Sequence, residues 1–149
     1  MDEWEINRRL KSVKHYLGTF ALDELNEIKI SNYPVFFIIN LDYRKFGDGT
    51  HWIALAVYQR NLFICDSLGG LLPNESFPTE LIEFLNALIT RRRLDMTKQL
   101  QPDDSDLCGY YCVTFVLEMA KTNNFGDFLS LFTTDLYSND VVIKFLNKR

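Results

Sequence analysis

Apolar positions along this chain fall into runs whose spacing switches between helical and extended periods. Near the N-terminus Ile6, Leu10, Val13 and Leu17 are spaced by four, three and four residues, which predicts an amphipathic helix over about 3–17. His15 falls off that stripe and reads as a solvated residue on the helix face. An LGT turn leads to FFIIN (36–40), a predicted strand near 35–40. HWIALAVY (51–58) and NLFICD (61–66) are strand-length apolar runs separated only by Gln59 and Arg60, the signature of a β-hairpin. In TELIEFLNALITRRR (79–93) Leu81, Phe84, Leu85, Leu88 and Ile89 share one helical face. A short strand is expected near Thr97–Leu100. YYCVTFVLEMA (110–120) is apolar nearly all round, as a buried helix is. Asn123, Asn124 and Gly126 then break the chain, and short helices are expected near Asp127–Phe132 and Ser138–Leu146. There is no internal repeat, low-complexity tract or linker. The order predicts one α+β domain over residues 1–149, with a small, mostly antiparallel sheet packed on the 110–120 helix.

The hairpin register brings in candidate chemistry. If a two-residue loop pairs Tyr58 with Asn61, then Val57 faces Leu62, Leu55 faces Ile64 and Ile53 faces Asp66. With period-two alternation these residues and His51 share one face. Asp66 then sits diagonally from His51, about 7–8 Å away in backbone terms and within side-chain reach. A one-residue slip would separate them.

The segment QPDDSDLCGYYC (101–112) supplies the rest. Cys108 stands where a helix begins, and free backbone amides and the helix dipole stabilise a thiolate there. Gln101, separated from Cys108 by six residues that include an acidic loop, carries an amide able to donate to an oxyanion. Cys108 is therefore the candidate nucleophile, His51 its base, Asp66 the group that orients the imidazole, and Gln101 with the Cys108 amide the oxyanion donors. Trp52 and Gly109, next to the histidine and the cysteine, are candidate substrate-contacting positions; for Trp52 the principal reading is a core aromatic. The order histidine, aspartate, glutamine, cysteine excludes papain-like enzymes and transglutaminases, in which the cysteine comes first. A phosphotyrosine phosphatase needs an arginine six residues after its cysteine, and Leu71, Thr114 and Glu118 stand at those places.

Composition narrows the class. The 149 residues are 47% hydrophobic and 24% charged, as expected of a globular domain with a sizeable core. The longest apolar stretch, PVFFII, is too short to span a membrane, and no signal-peptide pattern opens the chain. Three cysteines suggest free thiols in a reducing compartment. No second ligand pair accompanies Cys108 and Cys112, so no metal site is expected, and Cys65 and Cys112 read as small buried hydrophobes. A net charge of −4 is not that of a dedicated DNA binder. Arg91–Arg93 read as a solvated helix end suited to the dipole.

The blocks GTHWIALAVY, CDSLGG and QPDDSDLCGYYCVTFVLEMA resemble the adenovirus maturation proteases, and more broadly the cysteine-protease clan that includes SUMO and other ubiquitin-like-protein proteases. RRLKSVKHYLGTF resembles the opening helix of the adenain-like enzymes, and FFIIN the strand before their histidine. The interval between Gln101 and Cys108 matches the adenain pattern. The resemblance places His51, Asp66 and Cys108 on the catalytic triad and Gln101 on the oxyanion glutamine. It implies a viral endopeptidase that cleaves capsid or core precursors at Gly-Gly or Gly-X sites, acting as a monomer in the virion and in the nucleus or cytoplasm of the host, not secreted. An activating peptide and DNA are implied as partners. No cysteine stands between Asp66 and Gln101, so any such peptide would bind without a disulfide, as an added strand. The alternatives are a deconjugase of ubiquitin or a ubiquitin-like modifier, an acetyltransferase of the same clan, or an inactive binding module. The last sits poorly with four chemically competent residues.

Overall fold

A computed structural model of the chain describes residues 1–41, 51–69 and 77–148. The turn-rich stretch before His51 and most of the loop after Leu68 lie outside them. Among the described residues five strands form one sheet in the order β1-β2-β3-β4-β5. They are β1 (Tyr16–Phe20), β2 (Val35–Asn40), β3 (Trp52–Val57), β4 (Asn61–Cys65) and β5 (Arg93–Met96). The helices are α1 (Glu3–Leu10), a 3-10 helix (Leu22–Glu27), α2 (Thr79–Ile89), α3 (Cys108–Thr122), α4 (Phe125–Leu129) and α5 (Leu136–Leu146). The fold is α+β as expected, with a mixed sheet. The inner pairs β2–β3 and β3–β4 are antiparallel, and the outer pairs β1–β2 and β4–β5 are parallel.

All six residues of β2 and of β3 are buried, because both faces of the sheet are covered. That is why these strands read as continuous apolar runs. On one face Val35, Phe37, Ile39, Ile53, Leu55, Val57, Leu62 and Ile64 pack against α2 and the 3-10 helix. On the other, Phe36, Ile38, Trp52, Ala54, Ala56 and Cys65 meet α1, α3 and the C-terminal helices. The small side chains of Ala54 and Ala56 let α3 lie close to the sheet. Helix α3 buries Tyr111, Cys112, Val113, Phe115, Val116 and Met119, since it is enclosed by sheet below and helices above.

Several sequence expectations shift. The first helix stops at Leu10, not Leu17. Asp2 caps its start by accepting from the Glu5 amide at 2.9 Å, but after Leu10 the chain turns and His15 adopts a left-handed φ of 67°. Residues 16–20 then pair with β2, so tertiary strand pairing overrides a helical spacing. His15 is thus a turn residue, and Leu17 faces outward. The strand expected near 97–100 is instead β5 at Arg93–Met96, drawn back by its pairing with β4. The arginine run is not a helix end either: α2 ends at Ile89, and Arg91 has a φ of 66°. Arg92 bonds the Tyr58 carbonyl at 2.8 Å, the Leu88 carbonyl at 3.0 Å and the Tyr33 hydroxyl at 2.8 Å, so it joins α2 to the hairpin turn. The last two helices begin slightly earlier than expected, at Phe125 and Leu136. No described helix is long and apolar enough to cross a membrane.

Phe37 is fully buried on the α2 face and meets Phe20 and Phe84 edge-on at 6.4 and 6.0 Å. We predict that Phe37→Ala lowers unfolding free energy by about 3–5 kcal/mol, measured by urea denaturation. A loss below 1 kcal/mol would mean that this layer repacks freely.

Candidate active site

The hairpin has the register expected from the sequence: Val57 pairs with Leu62 and Leu55 with Ile64, and the Tyr58 amide donates to the Asn61 carbonyl at 2.8 Å. The face needs correction. Ile53, Leu55 and Val57 point toward α2, whereas Cys108 clusters with Trp52, Ala54 and Ala56 on the opposite side. His51 and Asp66 reach each other because both lie just beyond the strand ends, where period-two alternation no longer dictates direction. His51 Nε2 and Asp66 Oδ1 are 2.7 Å apart.

Asp66 is held from below. The Thr97 hydroxyl accepts from the Asp66 amide at 2.9 Å and donates to the Asp66 carbonyl at 2.8 Å. The carboxylate also accepts from the Leu68 amide at 3.2 Å. Both Thr97 and Asp66 are buried, so the backbone that presents the carboxylate is fixed by a side chain 31 residues downstream.

The other imidazole nitrogen, His51 Nδ1, is buried without a hydrogen bond of ordinary geometry. Besides Asp66, the group that interacts with the ring is Cys108. Burial by itself would lower the imidazole pKa. The bond to Asp66 and then the interaction with Cys108 outweigh it and raise the value to about 9. Burial likewise pushes the Cys108 thiol up, but the His51 interaction, then backbone amides of Trp52 and Gly109, bring it below the ordinary thiol range. The two shifts describe one thiolate–imidazolium pair. Cys65 and Cys112, in the same core cluster, are pushed well up by burial.

Cys108 is the first residue of α3 and is 8% exposed. Gly109 follows, and a Cβ there would lie 3.1 Å from the Met1 Cβ; the N-terminus packs against this helix start. The Trp52 side chain is buried in the core and reaches the site through its amide. Gln101 is 1% exposed. Its Oε1 accepts from the Ser67 hydroxyl at 2.6 Å, and its Nε2 donates to the Ser105 carbonyl at 2.8 Å and the Ser105 hydroxyl at 3.1 Å. Ser67, Thr97 and Ser105 escaped the sequence reading. Their partners are distant or lie in an irregular loop, and only the placement of Ser67 directly after Asp66 hinted at it. No cluster of metal-ligating side chains occurs among the described residues.

The chain matches no protein-family model and no curated protein. Among solved structures, its fold is similar to that of the central domain of the uncharacterized Lpg1148 protein from Legionella pneumophila. That match has 14% identity over 95% of this chain and 90% of that one, with a TM-score of 0.55. It is also similar to HopZ1a in complex with IP6 and CoA, at 14% identity over 94% of this chain and 44% of that one, with a TM-score of 0.52. The SUMO protease Ulp1 aligns at 14% identity over 95% of this chain and 72% of that one, with a TM-score of 0.46. At these identities the likeness to the first two is one of fold.

The direction of the shifts fixes a pH window. The His51 pKa is raised from 6.5 to about 9, so its contribution to stability is full below about 6.5 and is lost as pH rises through about 9. The lowered Cys108 pKa acts in the opposite sense and is lost as pH falls through its folded value. We predict that iodoacetamide alkylation of Cys108, followed by mass spectrometry, has a midpoint below that of a free thiol, and that Asp66→Asn moves it upward. Cys65 and Cys112 should stay unlabelled in the folded protein. A wild-type midpoint at about 8.5, the free-thiol value, would refute the ion pair.

Proposed function

We propose that the chain is a cysteine peptidase. The observation that carries this reading is a buried His51 held by Asp66 through Nε2 at 2.7 Å and interacting with Cys108, which opens a helix. In the proposed reaction the Cys108 thiolate attacks the scissile carbonyl carbon. The negative charge that develops on oxygen is met by the Cys108 amide and by Gln101 Nε2. For this, the longer amide contact, 3.1 Å to the Ser105 hydroxyl, yields to the oxyanion. The C–N bond breaks as imidazolium His51 gives its proton to the leaving amine. Neutral His51 then takes a proton from water, which attacks the thioester, and the acid product leaves with Cys108 regenerated.

Within this class we favour an adenain-like endopeptidase that cuts precursor polypeptides at Gly-Gly or Gly-X sites. The support for this finer reading is the resemblance of the blocks around His51, Asp66 and Cys108. A deconjugase of ubiquitin-like modifiers would use the same four groups and also leaves a C-terminal glycine, so the substrate decides between them.

We predict that Cys108→Ala and His51→Ala each lower turnover at least about a thousandfold while the protein stays folded by circular dichroism. Wild-type rates in either variant would falsify the nucleophile–base assignment. Fluorogenic Gly-Gly peptides, ubiquitin-like modifiers carrying the same leaving group, and acetyl-CoA with an acceptor peptide would be compared side by side. Cys108-dependent peptide cleavage is the expected result. A strong preference for a modifier would replace the endopeptidase reading with deconjugation, and acetyl transfer without hydrolysis would overturn the peptidase reading.

A further inference from the structure

Gln101 is the one proposed oxyanion donor that is a side chain, so its usefulness depends on what holds its amide. Two backbone bonds tie its segment to the turn after β4, and one side-chain bond holds the amide group itself. The Ser67 carbonyl accepts from the Gln101 amide at 2.9 Å and from the Leu100 amide at 2.8 Å. The Ser67 hydroxyl donates to Gln101 Oε1 at 2.6 Å. Ser67 and Gln101 are each 1% exposed, so bulk water does not replace these bonds. Gly69 makes the approach close: its φ is +72°, and a Cβ there would lie 3.0 Å from the Gln99 backbone nitrogen. A side chain there would be strained in φ and would press on the Gln99 backbone.

We propose that Ser67 is a positioning residue for the oxyanion site, its hydroxyl holding the Gln101 amide with Nε2 turned toward the loop that leads to Cys108. This inference rests on the peptidase reading and deepens it. First, Oε1 is a buried acceptor, and without the Ser67 donor it would be left unpaired, a cost the amide can relieve by swinging away. Second, a hydroxyl that donates to Oε1 polarises the amide and strengthens the hydrogen bonds its N–H groups give. Both effects act only on the charge that develops at oxygen, not on the thiolate. Ser67 follows Asp66 directly, so one tight turn serves both the base and the oxyanion donor: Asp66 reaches His51, and Ser67 reaches Gln101.

The test is a double-mutant cycle with two readouts. Ser67→Ala should lower kcat about tenfold on a Gly-Gly peptide with KM little changed, because the affected hydrogen bond strengthens in the transition state. The pH profile of Cys108 alkylation should stay that of wild type, which also verifies that the site is folded. Gln101→Ala should lower kcat by about a hundredfold, and adding Ser67→Ala to it should cost almost nothing more, since the group that Ser67 positions is already gone. A Ser67→Ala loss that is undiminished in the Gln101→Ala background overturns the proposal, as does a shifted alkylation profile, which would mean that Ser67 acts through Asp66. If Gln101→Ala itself leaves kcat unchanged, the oxyanion role of Gln101 fails while the Cys108 and His51 assignments stand on their own variants.

Discussion

The hairpin register between β3 and β4 is the constraint on which the rest of the site depends. It decides whether His51 and Asp66 meet, because it fixes where the end of β4 stops against the start of β3, and a slip would carry Asp66 along the strand away from His51. The structure fastens it at both ends. At the turn, the Arg93 amide donates to the Arg60 carbonyl at 2.9 Å and the Arg92 guanidinium to the Tyr58 carbonyl at 2.8 Å. At the far end the Thr97 hydroxyl bonds both polar groups of the Asp66 backbone. The segment from α2 into β5 therefore works as a splint along the hairpin. The arginine run that looks like a solvated helix end in the sequence is part of it.

Much of this was legible in the sequence, and the misses have physical causes. Two apolar runs separated by two residues give the register, and a cysteine ahead of an apolar helical run gives the place of the candidate nucleophile at the start of α3. The sheet face was harder. Ile53, Leu55 and Val57 look like the core face, but the alanines between them are just as buried because they lie beneath α3. Periodicity sees side-chain size, not which layer covers it. The spacing extends the first helix too far because Val13 and Leu17 happen to continue its stripe, while the β1–β2 pairing that ends it joins residues nineteen or twenty apart in sequence. Ser67, Thr97 and Ser105 are ordinary polar residues until the fold brings their partners to them.

The three cysteines separate burial from environment. All lie in one core cluster, and burial pushes each thiol toward the neutral form. For Cys65 and Cys112 nothing opposes it, and nearby negative charge adds to it. Cys108 differs in what surrounds it: an imidazole held charged by a carboxylate, and the amides of Trp52 and Gly109. Burying an isolated ion pair is costly, and here the cost is met by hydrogen bonds fixed before any substrate arrives. The same desolvation that silences Cys65 strengthens every electrostatic contact at Cys108.

Strand direction explains why these groups converge. β3 runs antiparallel to β4, and β4 parallel to β5, so the start of β3 and the ends of β4 and β5 lie at one edge of the sheet. His51 precedes β3, Asp66 and Ser67 follow β4, and Gln101 lies beyond β5. Cys108 begins the helix that crosses the sheet over Ala54 and Ala56. Each chemical group therefore stands at the end of a hydrogen-bonded element or within a few residues of one, free of the strand alternation that would bury it in a layer. Rigid elements supply precision and their ends supply direction. The bonds among Asp66, Thr97, Ser67 and Gln101 join those ends to one another, so the β4 turn cannot move without moving both the carboxylate that holds His51 and the side-chain amide of Gln101.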